Sequence, residues 1–171
     1  NGPKWSTQNI VINGNDAYIA INNAFEYGNE KGIVGILDLS NMTYGNEIDL
    51  GPNGKNPDNM VLKGGNILTV NNKDWSGSSI SKIDISNNSL DATVDLASAS
   101  TGCGTSSLRD DKLVYQISQE TSLNEFDFNQ MNNVGPISSY NLNFYCLAQN
   151  PVDGNLYTSN RGSVPVSGNN P

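Results

Sequence analysis

Apolar residues in this chain come in short bursts separated by small polar residues and turn formers. Four bursts share one form, a turn followed by a short apolar run: 15–22 (NDAYIAIN), 65–71 (GNILTVN), 111–117 (DKLVYQI) and 154–160 (GNLYTSN). Aligned on their last residues, Asn22, Asn71, Ile117 and Asn160 follow one another at spacings of 49, 46 and 43. A second run, 32–39 (GIVGILDL), 78–85 (SSISKIDI) and 121–128 (TSLNEFDF), sets Asp38, Asp84 and Asp127 at spacings of 46 and 43. A third run follows at 47–50 (EIDL), 92–96 (ATVDL) and 136–140 (PISSY). Three ladders with the same shrinking period mark a repeat sequence.

A period of about 43–50 residues with several short strands and no helical stretch predicts one four-stranded antiparallel blade per repeat, as in a β-propeller. The turns agree, because Asn13-Gly14, Gly64-Gly65-Asn66 and Asp153-Gly154-Asn155 fall where hairpins need positive φ. An all-β sandwich or solenoid fits the spacing too, but repeat length and turn chemistry together favour the propeller. The repeats run over 9–57, 58–104 and 105–146, with an incomplete one over 147–171. That makes about three and a half blades, and closed rings have about four to eight. The chain therefore reads as part of a ring, completed either by more of a longer chain or by further copies; a piece of a longer propeller is preferred. Its polar opening carries no signal peptide, as in a mature or excised segment.

Composition narrows the function. The 171 residues include 9 Lys and Arg against 17 Asp and Glu, a net charge of −8, which argues against a nucleic-acid partner. No apolar run approaches the roughly 18 residues of a membrane span. Histidine is absent, which removes the commonest general base and metal ligand. Phosphate loops, zinc spacings and nucleophile elbows are missing as well. The expectation is a protein that is not an enzyme and needs no cofactor or metal. The once-per-repeat Asp38, Asp84 and Asp127 read as strand-end turn formers.

Two phrases carry a family resemblance. Leu50-Gly51 followed by Asn56-Pro57-Asp58-Asn59-Met60-Val61-Leu62 resembles the blade junction of YVTN/YncE-like secreted β-propellers. The run from Pro151 through Asp153-Gly154-Asn155 to Asn160 resembles that family's next strand pair. The third repeat departs from the pattern, since 103–108 (CGTSSL) lacks the junction proline and Ile117 replaces the Asn. The Asn-rich phrasing, with Asn71-Asn72-Lys73-Asp74-Trp75, is most similar to surface propellers of Bacteroidota. The resemblance implies a seven-bladed ring of which this is about half, and an extracellular or cell-surface location on the bacterial outer membrane. It further implies a lipoprotein of the kind that captures corrinoids and hands them to an outer-membrane transporter.

Candidate site residues are few. Cys103 and Cys146 are 43 residues apart, the same offset as Asp84 to Asp127, and so occupy equivalent positions on innermost strands of adjacent blades. They either form a disulfide, given an oxidising compartment, or pack at the axis as free thiols. Strand order places Trp5, Asn22, Asn23, Asn71, Asn72, Asn160 and Arg161 at one end of the blades, with Lys73, Asp74 and Trp75 on the same rim. Amides and a flat aromatic suit a small polar ligand such as a corrinoid, sugar or peptide, or a surface protein. Each Asn can equally cap a strand end through its own side chain. The leading reading is a binding propeller; the alternative is a structural or adhesive module of a larger surface protein.

Overall fold

Short runs rich in Ile, Val and Leu, broken by Asn-Gly and Gly-Gly, favour strands and leave no stretch long enough for a helix. A computed structural model describes residues 2–101, 106–118, 120–139 and 144–160, and among these every helix or strand element is a strand. β1 (Ser6–Asn13), β2 (Asp16–Asn22), β3 (Gly32–Asp38) and β4 (Thr43–Asp49) form the first sheet. β5 (Pro57–Lys63), β6 (Asn66–Asn71), β7 (Ser78–Asp84) and β8 (Ser89–Ala97) form the second. The third holds β9 (Ser106–Arg109), β10 (Lys112–Gln116), β11 (Ser122–Asp127) and β12 (Asn132–Ser139). β13 (Phe144–Gln149) and β14 (Leu156–Asn160) make a two-stranded fourth sheet. Within each sheet consecutive strands are antiparallel neighbours, so the chain is a series of meanders. The all-β expectation of repeating four-stranded sheets holds.

Local chemistry sets the turns. Asn13 faces Asp16 across Gly14 (φ 61°), and Lys63 faces Asn66 across Gly64 and Gly65 (φ 56° and 80°). Arg109 faces Lys112 in the same way, with Asp110 at φ 52°; two-residue hairpin turns need this left-handed backbone. At the third-strand ends, Asp38, Asp84 and Asp127 accept the backbone N–H of Ser40, Ser86 and Asn129 at 2.8, 2.8 and 2.9 Å. The recurring Asp is thus a turn former. The hydroxyls of Ser40 and Ser86, followed by these N–H bonds, hold the first two carboxyls below the ordinary range, and Lys112 does so for Asp127.

The hairpins also correct one register. Asn9 pairs with Ala20 and Asn59 with Val70, so the first hairpins of the first two repeats superpose at an offset of 50, while the third strands keep the 46 of Asp38 to Asp84. Asn22 therefore matches Asn72, whereas Asn71 matches Ile21 and, through the equivalent Lys63–Asn66 and Arg109–Lys112 turns, Ile117. Setting Asn22 level with Asn71 is one residue out, and in a strand one residue exchanges the two faces.

The sheets pack face to face. Tyr18, Ala20, Val34, Ile36 and Ile48 of the first meet Met60, Ile67 and Ile83 of the second. The other face of the second sheet brings Leu68, Val70 and Ile80 against Leu113, Tyr115, Ile117 and Phe126. Val114 and Leu123 then meet Leu147 of the fourth. Each Val, Leu, Ile, Met or Phe among them, fully buried, contributes about 1.5–3 kcal/mol. The first strands of successive sheets, β1, β5, β9 and β13, lie side by side. Asn9 Nδ2 donates to Asn59 Oδ1 (2.7 Å), and Asn59 Nδ2 to Ser106 Oγ (2.7 Å), cross-linking three of them. Such convergence is that of inner blade strands around an axis. On the far face of the first sheet, Ile10 and Ile12 are 57% and 58% exposed. Their counterparts at the offset of 50 are Met60 and Leu62, which the first sheet covers.

Candidate functional site

First strands begin where second strands finish: Ser6 pairs with Asn22, Pro57 with Asn71 and Phe144 with Asn160. Trp5, Asn22, Asn23, Asn71, Asn72, Lys73, Asp74 and Trp75 therefore share one end of the sheets. Arg161 and Cys103 lie outside the described residues, as does the Asn160 side chain.

The amides at this end are turned inward. Asn71 is 0% exposed in the first interface, donating to Ser79 Oγ (3.0 Å) and Ser81 Oγ (2.9 Å) and accepting from Thr69 Oγ1 (2.7 Å). Asn72 Oδ1 accepts from Thr101 N and Oγ1 at 3.0 and 2.8 Å. Asn22 Nδ2 donates to the Pro57 carbonyl at 3.3 Å. Asn23 donates to Asn29 O (2.9 Å) and Glu26 Oε2 (3.1 Å) and accepts the Lys31 N–H at 2.5 Å. Buried amides require such partners: Asn22 and Asn71 join strand to strand, Asn23 closes its own loop, and Asn72 joins loop 72–77 to Thr101.

Trp75 is presented outward. In loop 72–77, Lys73 and Trp75 take φ of 48° and 69°, an arrangement that costs on the order of 1–3 kcal/mol per bulky residue. It is held by Trp75 N donating to Asn72 O (2.9 Å), Ser76 Oγ donating to Asp74 (2.7 Å), and the Lys73–Asp95 ion pair (2.7 Å). The Ser76 bond keeps the Asp74 carboxyl below its ordinary range. The indole is left 43% exposed. Beside this loop runs an open groove of about 490 Å³ lined by Lys73, Asp74, Gly77 and Asp95.

A second aromatic group escaped the sequence reading. Phe25 and Tyr27 are 85% and 77% exposed on loop 23–31, which is longer than its counterparts 72–77 and 117–121. That extra length between Asn22 and Gly32 was the available signal. The loop is stiff: Glu26 N donates to Asn23 O (2.8 Å), Asn29 N to Glu26 O (2.8 Å) and Gly28 N to Glu30 Oε1 (2.9 Å). Glu30 is buried and pairs with Lys55 at 3.7 Å. Gly32 ends the loop so close to the next connection that a Cβ there would lie 1.8 Å from the Gly54 carbonyl oxygen. Trp5 stands alongside, its Nε1–H donating to Glu26 Oε1 at 2.9 Å and Lys4 Nζ lying 4.6 Å from its ring centroid. Trp5, Phe25, Lys4, Glu26 and the two buried asparagines line a cleft of about 290 Å³.

Cys146, in β13, is an exposed free thiol with Sγ 3.1 Å from Ser159 Oγ. Its expected partner Cys103 falls outside the described residues. Among the described residues no group of three or more His, Cys, Asp or Glu could hold a metal ion.

No protein-family model matches the chain, and no curated relative matches it. Solved structures do. Hydrazine synthase of Kuenenia stuttgartiensis superposes with a TM-score of 0.64 at 14% identity, over 87% of this chain and 47% of that one. The dihydro-heme d1 dehydrogenase NirN, solved in complex with DHE, gives 0.65 at 16% identity, over 92% of this chain and 33% of its own. Glutaminyl cyclase of Myxococcus xanthus gives 0.51 at 9% identity, over 90% and 67%. Hydrazine synthase and NirN are β-propeller proteins with four-stranded antiparallel sheets. The chain spans less than half the length of either, and what it shares with them is the propeller fold.

Proposed function

We propose that this chain is part of a non-catalytic binding propeller that captures a polar ligand on the end of the sheets carrying Trp75. The observation behind this reading is the indole held outward on a left-handed backbone, between an ion pair and an Asx turn. A strained, preorganised aromatic lowers the cost of binding and acts as an anchor for a flat ligand face. The Ile10 and Ile12 face of the first sheet fits a further blade, supplied by the rest of a larger ring, seven-bladed as the family resemblance implies. The same resemblance supports an outward-facing location on a bacterial surface, with a corrinoid or a glycan as ligand and an outer-membrane transporter as the partner receiving it. Absence of histidine from the chain supports binding without turnover.

The test is a titration of cyanocobalamin and of neutral oligosaccharides against wild type and Trp75→Ala. Loss of about 1–3 kcal/mol of affinity in the variant, the range of an aromatic anchor, supports the reading. Unchanged affinity moves the site elsewhere, turnover makes the protein an enzyme, and binding of neither class returns the structural or adhesive module.

A further inference from the structure

We propose that the cleft between Trp5 and Phe25 binds a single neutral pyranose unit of a glycan. This deepens the reading above, on which it rests for the binding role, but it depends on different residues of the same end. Phe25 is almost fully exposed on a loop whose backbone is cross-tied at Asn23, Glu26, Gly28 and Lys31. A ring held in water by a rigid loop is already arranged to meet a partner. The Trp5 indole is fixed as firmly, its N–H bonded to Glu26 and Lys4 lying over the ring. The rim is polar and unsaturated. Glu26 Oε1 accepts from Trp5 and Oε2 from Asn23, so each oxygen keeps a lone pair for a ligand hydroxyl, while the Lys4 ammonium offers donors.

The charges of the cleft decide the ligand class. Lys4 and Glu26 are its two charged lining residues, and they cancel. An anion meets the carboxylate and a cation meets the ammonium, but a neutral polyol meets donors and acceptors without repulsion. A pyranose combines apolar C–H faces for the aromatic walls with a hydroxyl rim for the polar groups. At about 290 Å³ the cleft is at the small end of ligand sites, and it suits one ring better than an extended peptide.

The experiment measures binding to the wild-type chain by calorimetry and repeats it in Trp75→Phe, in which Trp5 is the remaining tryptophan and its fluorescence reports this cleft. Cellotetraose, mannotetraose and chitotetraose are titrated to millimolar concentration, with blocked tetrapeptides as the second arm. The proposal expects a saturable change in Trp5 fluorescence with at least one saccharide, and affinity about tenfold or more weaker in Phe25→Ala. Phe25 is so exposed that its truncation leaves the core intact, which thermal unfolding of the variant verifies. Silence with all three saccharides overturns the proposal. So does saccharide binding indifferent to Phe25→Ala, or a response to tetrapeptides only. If Trp75→Ala abolishes capture of a corrinoid while no saccharide moves the Trp5 signal, this inference fails and the broader reading stands.

Discussion

The first two inter-sheet interfaces put different chemistry at the same structural positions. Between the second and third sheets the packing is apolar, with Tyr115, Ile117 and Phe126 closing on Leu68, Val70 and Ile80. Between the first and second, the positions equivalent to Tyr115 and Ile117 are Thr69 and Asn71, both fully buried. They belong to a hydrogen-bonded chain with Ser79, Ser81 and Thr93. Ser79 continues it to the Asn53 carbonyl of the connection between sheets, at 2.5 Å. A propeller blade needs its facing surface filled and its polar atoms paired, and either an apolar or a polar solution meets both demands. What it does not tolerate is half of one solution placed in the other.

Exchanging the two residues breaks that comparison most directly. Ile117→Asn places a carboxamide among Leu68, Val70 and Phe126 with no partner, and we expect a loss of about 3 kcal/mol or more in urea unfolding. Asn71→Ile should cost less, about 1–2 kcal/mol. Ser79 keeps its bond to Asn53 and Ser81 its bond to Thr93, so chiefly the Thr69 hydroxyl is orphaned. Equal losses in the two variants would show that the polar chain acts as one unit.

Alkaline titration sharpens the comparison with a smaller effect. Burial in the apolar interface raises the Tyr115 hydroxyl to about 12, Glu120 adding to the shift and the Asn133 bond opposing it. A raised folded value means the contribution is intact below the unfolded value of about 10 and is lost as pH climbs from there through 12. Stability should therefore decline above about pH 10, and Tyr115→Phe should flatten that decline. A decline of the same steepness in the variant would place the responsible group elsewhere.

Residue type and spacing made the strands legible, because apolar runs of four to seven residues between left-handed turns have few other uses. Asp38, Asp84 and Asp127 were legible for the same reason, their Asx bonds being local. Asn71 was not. Its amide resembled the neighbouring Asn72 and the distant Asn22, and only the pairing of Asn59 with Val70 fixes which face it takes. Phe25 and Tyr27 were missed because exposure is a property of the loop's internal bonds, and a ring in the sequence looks the same whether packed or bare. Trp75 was found as an aromatic plate, but its positive φ comes from the fold of loop 72–77.

The proposed binding face is one end of the sheets. Amide chemical-shift mapping of the labelled chain during titration with cyanocobalamin, and separately with a neutral tetrasaccharide, tests it most directly. Binding at that end shifts amides in loops 23–31 and 72–77 and leaves unmoved the hairpin turns at Gly14, Gly64 and Asp110, at the other end of the strands. Shifts centred on those turns, or none anywhere with either probe, would contradict it.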